Sequence, residues 1–285
     1  MNNRRLIPVV IVLMLAMLAC TFNFNFPSLQ TTETKTLTLH EPLPKGLDIA
    51  RVSLSIPAGT LSLKGGATGL LEGTISYNVK DWDPVITRDS GVVSIKQGDV
   101  NKINGVPTQE MVNDWSLNLP NSVPLVLTIN AGAYKGVLDL GGLPLKSLAI
   151  IDGASQSKVN FSQPNPIQLE TFTYKTGASQ VDMEGLANAN FTNLRFDGGA
   201  GDYTFDFSGS LYRDAVIAIK AGVSNITLNI PVGTHVIIDN HGAISNINTE
   251  GTWVVNGSTY EASGNGPVIT VSIDIAVGNL KLVRK

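Results

Sequence analysis

Five short polar residues recur at similar places along the chain: Asp139, Asn160, Asp182, Asp206 and Asn229, each between apolar residues. Carboxylates on neighbouring strands can act as general acid and base, or share a calcium ion. Stacked in register, Asp182 and Asp206 are expected to stand one strand spacing apart, about 4.8 Å. The residues around this row are mainly Ser, Thr and Asn, without the Arg, Lys and aromatic side chains that a glycan-cleaving site gathers. The expectation is therefore an outward polar row with no catalytic residue; the alternative is a ligand face that binds or cleaves carbohydrate along this row. Three other groups invite chemistry. His235, Asp239 and His241 share one parity on a strand, but lack a third strong ligand for zinc. Gly198-Gly199-Ala200-Gly201-Asp202 resembles a calcium-binding glycine-rich repeat, yet stands alone and out of register. Asp81-Trp82-Asp83-Pro84 reads as a turn before proline. With three His and one Cys in 285 residues, no metal and no cofactor is expected. Phosphate-loop, HExxH and GxSxG motifs are absent from the sequence.

The elements that position the row repeat themselves. A glycine followed by a small residue occurs at Gly132-Ala133, Gly153-Ala154, Gly177-Ala178, Gly199-Ala200, Gly222-Val223 and Gly242-Ala243. Five and three residues earlier come Leu127/Ile129, Leu148/Ile150, Phe172/Tyr174, Leu194/Phe196 and Ile217/Ile219; Ile237/Asp239 half fits. The unit is a short strand, a bend, and a second short strand, each with period-two alternation. At the bend the glycine supplies positive φ or close backbone approach, and the Ala is expected to tuck inward. One such unit cannot bury its apolar face alone, whereas stacked units can. The fold expected is all-β: a single-domain β-solenoid (β-helix) with coils of about 20–24 residues, preceded by a β-rich N-terminal capping region. Leu54 to Leu63 and Ile273 to Leu282 echo the template at the two ends. Gln97 to Ser116 is expected to be a polar loop or short helix. Trp253 to Tyr260 reads as a hairpin through an Asn-Gly turn.

Composition narrows the function classes. Charged residues make up 15% and hydrophobic residues 43%, which excludes global disorder. A formal charge of −3 argues against a nucleic-acid partner, which calls for a basic patch. The start of the chain, Met1-Asn2-Asn3-Arg4-Arg5, is followed by an apolar run from Leu6 to Ala19, too short to span a bilayer and of the length of an export signal. The single cysteine, Cys20, follows Ala19 directly, as in a bacterial lipobox. The expectation is a signal peptide over 1–19, lipidation at Cys20, a lipid-anchored linker over 20–46, an N-terminal β region over 47–115 and the solenoid over 116–285. Loss of Arg4 and Arg5 leaves 18 basic residues against 23 acidic, a net −5. Such a protein sits on the exported side of the cell membrane. Its expected partners are the membrane, through the lipid, and an envelope protein or glycan.

Pro57-Ala58-Gly59-Thr60-Leu61-Ser62-Leu63 with Leu71-Glu72-Gly73-Thr74-Ile75, and the run Gly199 to Asp206, resemble the toast-rack N-terminal region. Ala221 to Gly233 resembles the C-terminal domain of LiaF-like cell-wall-active antibiotic response proteins. The likeness spans roughly residues 48–283. It implies a β-helical envelope domain used in adhesion or stress sensing. LiaF-like proteins carry several membrane helices, whereas here a lipobox-like signal takes their place.

Overall fold

The computed structural model describes residues 28–29, 31–97, 106–107, 110–243 and 246–285. The expected signal peptide and Cys20 lie outside these residues; the linker expected over 20–46 is corrected over 31–41, which is a strand paired with residues 71–79 because its alternating Leu37 and Leu39 face the core.

Among the described residues eighteen strands follow in order. The N-terminal part holds β1 (Ser28–Leu29), β2 (Thr31–Glu41), β3 (Ala50–Ala67), β4 (Leu71–Val79), β5 (Pro84–Asp89), β6 (Val92–Gln97), β7 (Val106–Pro107) and β8 (Asn113–Pro120). The repeats supply β9 (Leu125–Asp139), β10 (Leu145–Asn160), β11 (Thr171–Glu184), β12 (Asn193–Asp206) and β13 (Ala215–Ile230). The C-terminal part holds β14 (His235–Asn240), β15 (Asn246–Glu250), β16 (Val254–Asn256), β17 (Thr259–Ala262) and β18 (Val268–Arg284).

Each long strand is one bent ribbon, and the ribbons stack in parallel in the order β3, β9, β10, β11, β12, β13, β18. Equivalent residues meet rung by rung. Leu127, Leu148, Phe172, Leu194 and Ile217 form one inward row before the bend; Leu138, Val159, Met183, Phe205 and Leu228 form another after it. Inward parity changes hands at the bend, so the two halves face a common interior as two sheet faces. The loops between ribbons close the third side with Leu140, Leu143, Phe161, Leu169, Leu186 and Phe207, all fully buried. Aromatics fill the middle rungs: Phe161, Phe172 and Phe191 meet edge-on, and Phe196 packs 4.8 Å from Tyr203 and 5.0 Å from Phe205. The fold is the all-β solenoid that the repeat predicts.

The bends are made by contact between glycines. A Cβ on Gly177 would collide with the carbonyl oxygen of Gly153, one on Gly153 would come within 2.9 Å of the Gly132 oxygen, and one on Gly222 within 2.8 Å of the Gly199 oxygen. None of these glycines has positive φ. Of the two reasons for glycine at the corner, close backbone approach is the operative one here. The residue after each glycine also differs from expectation. Ala133, Ala154, Ala178, Ala200 and Val223 point outward and are exposed, forming a ridge along the corner. A tight corner turns the small side chain to the convex side.

Both ends follow one plan. At the N-terminal end β3 pairs with β6 before the bend and with β8 after it; β5 then adds antiparallel to β6, and β4 and β2 add antiparallel beyond β8. Asn113 to Ser116 is thus in a strand, and the loop or short helix expected there is corrected; residues 98–105 and 108–109 lie outside the described set. A bidentate ion pair, Arg88 to Glu41 at 2.6 Å, links β5 to β2 across this end. At the C-terminal end β14 and β15 together pair with β18, β17 adds antiparallel to β14, and β16 adds antiparallel to β17. The unit at Gly242 is therefore not the rung above β13. The terminal strand β18 inserts between β13 and the β14–β15 pair, because its Ile273, Ile275 and Leu280 complete the buried rows that 235–243 cannot.

Candidate functional site

The second sheet face, after the bend, carries the polar rows. Asp139 pairs with Asn160, and Asp206 with Asn229. Asp182 does not join them. It stands two residues earlier, between Lys158 and Thr204, and Asn160 is paired with Glu184 instead. The row is Asp139, Asn160, Glu184, Asp206 and Asn229. Asp182 is five residues past its corner glycine and Glu184 is seven, the spacing shared by the others, so the signal was present in the sequence. The expected contact of Asp182 with Asp206 is corrected: Glu184 is the residue level with Asp206.

This row is internally satisfied at several points. Asp139 accepts bonds from Ser162 Oγ at 2.6 Å and Gly141 N at 3.2 Å. Glu184 lies 2.8 Å from Lys158 Nζ. Asp206 accepts from Ser208 N at 2.8 Å and stands 3.4 Å from Lys285 Nζ. Partial burial pushes the Asp206 carboxyl up, but the Ser208 bonds and Lys285 outweigh it and hold it below the usual range. An open hollow of about 310 Å³ lies here, lined by Asn160, Ser162, Glu184, Asn188, Asp206 and Ser208.

A second row runs next to the corner: Lys135, Gln156, Gln180, Asp202, Asn225, Asn279 and Asn246. Asn225 donates to Asp202 at 2.8 Å and Asn279 to Asn225 at 2.7 Å, a partial amide ladder. Asp202, the acid of the glycine-rich run, is spent in this ladder. Between the rows Asp182 meets Gln180 Nε2 at 3.5 Å. Among the described residues no three acidic, His or Cys side chains cluster for a metal.

The remaining candidates resolve into turns and pairs. Asp83 accepts from Tyr77 Oη at 2.8 Å and Lys35 Nζ at 3.2 Å, which lowers its carboxyl; burial and Asp83 push the Tyr77 phenol up to about 12. Trp82 is buried, and Asp81 takes a positive φ of 67°, as a turn requires. His235 lies 3.2 Å from Glu261, and Asp239 accepts from Thr259 Oγ1 at 2.6 Å, so these two serve different partners.

One polar group was not foreseen. Asp152 is buried inside the corner of β10, where it accepts bonds from Tyr174 Oη at 2.7 Å, Ser155 Oγ at 3.1 Å, Ser179 Oγ at 3.3 Å and Thr176 Oγ1. It continues the inward parity of Leu148 and Ile150, so its burial could have been read from the alternation. Burial, reinforced by Asp152, pushes the Tyr203 phenol up to about 12 and that of Tyr174 higher still; Tyr134, between Ser157 and Asp152, also rises to about 12.

The sequence of residues 27–171 matches the family described as the N-terminal domain of toast_rack, DUF2154. The chain belongs to the toast_rack family. The toast_rack match covers the N-terminal end plan and the first rungs of the stack; the stretch resembling LiaF-like proteins lies beyond it. No curated protein matches the sequence. Among solved structures, this toast_rack chain is similar to a candidate cell adhesion protein of Clostridium sporogenes, at 21% identity and a TM-score of 0.45, over 90% of this chain and 100% of that one. It is also similar to a candidate adhesin of Bacteroides fragilis, at 11% identity and a TM-score of 0.34, over 90% and 98%. Likeness at this level says nothing of what the present chain binds. Among the described residues no helix is long and apolar enough to cross a membrane.

Proposed function

We propose that this toast_rack protein is a non-catalytic adhesion scaffold of the cell envelope, held to the exported side of the membrane by a lipid on Cys20. The observation that carries the reading is the unbroken in-register stack. Nine levels, from β8 to the β14–β15 pair, follow one another at about 4.8 Å, a rod of about 38 Å. In the sequence Cys20 precedes β2, the strand at one end of the sheet, so in this reading the opposite end is the part presented away from the membrane. A continuous hydrogen-bonded rod with polar flanks suits display and contact better than turnover. The Asp and Asn row fits a solvated flank: Glu184 and Asp206 are engaged by Lys158 and Lys285.

The test is attachment. Cells producing the full chain are expected to retain it in the membrane fraction and to adhere to each other or to envelope-coated surfaces. Cys20→Ala should release the protein and abolish adhesion without changing its melting temperature. Adhesion that persists after release, or hydrolysis of envelope glycans lost in an Asp206→Asn, Glu184→Gln variant, would overturn the reading.

A further inference from the structure

The two ends of the stack protect their edge strands differently. A bare strand edge invites pairing with another chain, and proteins blunt it with charge, proline or cover. At the N-terminal end β5 begins with Pro84 and carries Arg88 and Asp89, while β2 carries Glu33 and Lys35. At the far end β16 reads Val254-Val255-Asn256, with neither charge nor proline. Val254 is 63% exposed and Val255 54%, one on each side of the sheet. Among the described residues no strand pairs with the outer edge of β16.

The hairpin geometry says which groups that edge offers. Gly257, at φ 61°, and Ser258 form a two-residue loop between Asn256 and Thr259. The pair that closes such a loop exchanges hydrogen bonds, and the next pair, Val255 with Tyr260, does not. The Val255 N–H and C=O therefore point outward, to the free edge. An antiparallel strand centred on residue 255 would take both.

Charge decides between a foreign strand and a second copy. The chain carries a net −3, so two copies repel unless their contact is neutral. Of the carboxylates around this end, Glu250 lies 2.7 Å from Lys281, and Glu261 stands on β17, not on the edge strand, 3.2 Å from His235. Two β16 strands related by a two-fold axis would set Val255 opposite Val255 and Val254 opposite Asn256, with no charge in the contact. We infer that β16 is a homophilic tip, through which two copies of this chain join end to end by antiparallel strand pairing. The inference rests on the adhesion reading for its setting. With the tethers at opposite ends, a pair of sheets joined through β16 spans roughly 120 Å between the two β2 strands.

The full chain carrying Cys20→Ala tests the pairing in solution. Val255→Cys should give disulfide-linked dimers on mild oxidation, whereas Val137→Cys, an exposed valine on the flank, should not. Val255→Lys should weaken dimerisation at least about tenfold, as expected of a charge at an interface centre, with an unchanged melting temperature. Equal cross-linking at residues 255 and 137, or dimers that survive Val255→Lys, would overturn the inference. In cells, aggregation between two labelled populations should require the chain on both and be lost in Val255→Lys. Solution dimers without aggregation would uphold the pairing and remove the adhesion reading. Aggregation that survives Val255→Lys would do the reverse. Attachment to cells lacking the chain, lost in Val255→Lys without cross-linking at 255, would replace the second copy by a foreign strand.

Discussion

The corner glycines show how one missing methyl group sets a bend. At Gly177 the obstacle to a side chain is the carbonyl oxygen of Gly153 in the rung below, not the sign of φ. Gly177→Ala, the smallest possible change, should already destabilise by about 1–3 kcal/mol through overpacking. Ala178→Val should be neutral, because residue 178 is exposed and Val223 occupies the same row two rungs on. Chemical unfolding of the two variants separates these outcomes; a neutral Gly177→Ala would count against the close contact. The tyrosine hydroxyls give a second test. Tyr203 Oη is buried and lacks a hydrogen-bond partner among the described residues. Removing an unsatisfied buried hydroxyl relieves a desolvation cost, so Tyr203→Phe should raise stability by up to about 1 kcal/mol. Tyr174→Phe should lower it, since Tyr174 donates to the buried Asp152 carboxylate. Equal effects of the two changes would disprove this assignment.

Among the elements, β18 has the most unusual place. It is last in sequence yet sits inside the stack, paired on one side with β13 and on the other with β14 and β15. It buries Ile269, Val271, Ile273, Ile275, Leu280 and Leu282. At about 1.5–3 kcal/mol for each buried side chain, its loss is as large as a typical folding free energy of about 5–15 kcal/mol. A chain ending at Gly266 should therefore fail to fold, rather than merely fray at its end. Ile273→Ala should cost about 2–5 kcal/mol. Limited proteolysis of the truncated chain checks the first expectation. A protected core reaching from β3 to β13 would show that the lower rungs stand without this clamp.

For the whole molecule the buried tyrosines predict alkaline sensitivity. Tyr134 and Tyr203 titrate near 12 in the folded protein, against an ordinary value near 10. A raised folded value means that the folded state holds its proton where the unfolded state has lost it. The stability these groups contribute is fully present below pH 10 and falls as pH rises from 10 to about 12. Unfolding in that window, followed by circular dichroism, should coincide with the rise in tyrosinate absorbance. Tyrosinate appearing well before the loss of structure would show that these phenols are reached by solvent in the native state. Asp206 works in the opposite direction. Its lowered carboxyl contributes stability above its unfolded value that is lost as pH falls through the folded one.

The sequence by itself determined the repeat, its inward rows and hence the solenoid. Leu127/Ile129 through Ile217/Ile219 meet in the order their spacing dictates, because parallel stacking preserves register and alternation fixes which side chain is inside. The spacing of seven residues from the corner glycine likewise held enough to place Glu184, although the nearer Asp182 masked it. Three things were settled only by tertiary structure. The direction of the alanines follows from how sharply the ribbon bends, which alternation does not encode. The position of β18 follows from competition for one slot beside β13, where 235–243 and 268–284 both echo the template and the better apolar match wins. The bare edge of β16 exists only because the final hairpin lies at the end of the sheet; no pattern in Val254-Val255-Asn256 distinguishes an edge strand from a covered one, since what lies beside a strand is decided by segments distant in the chain.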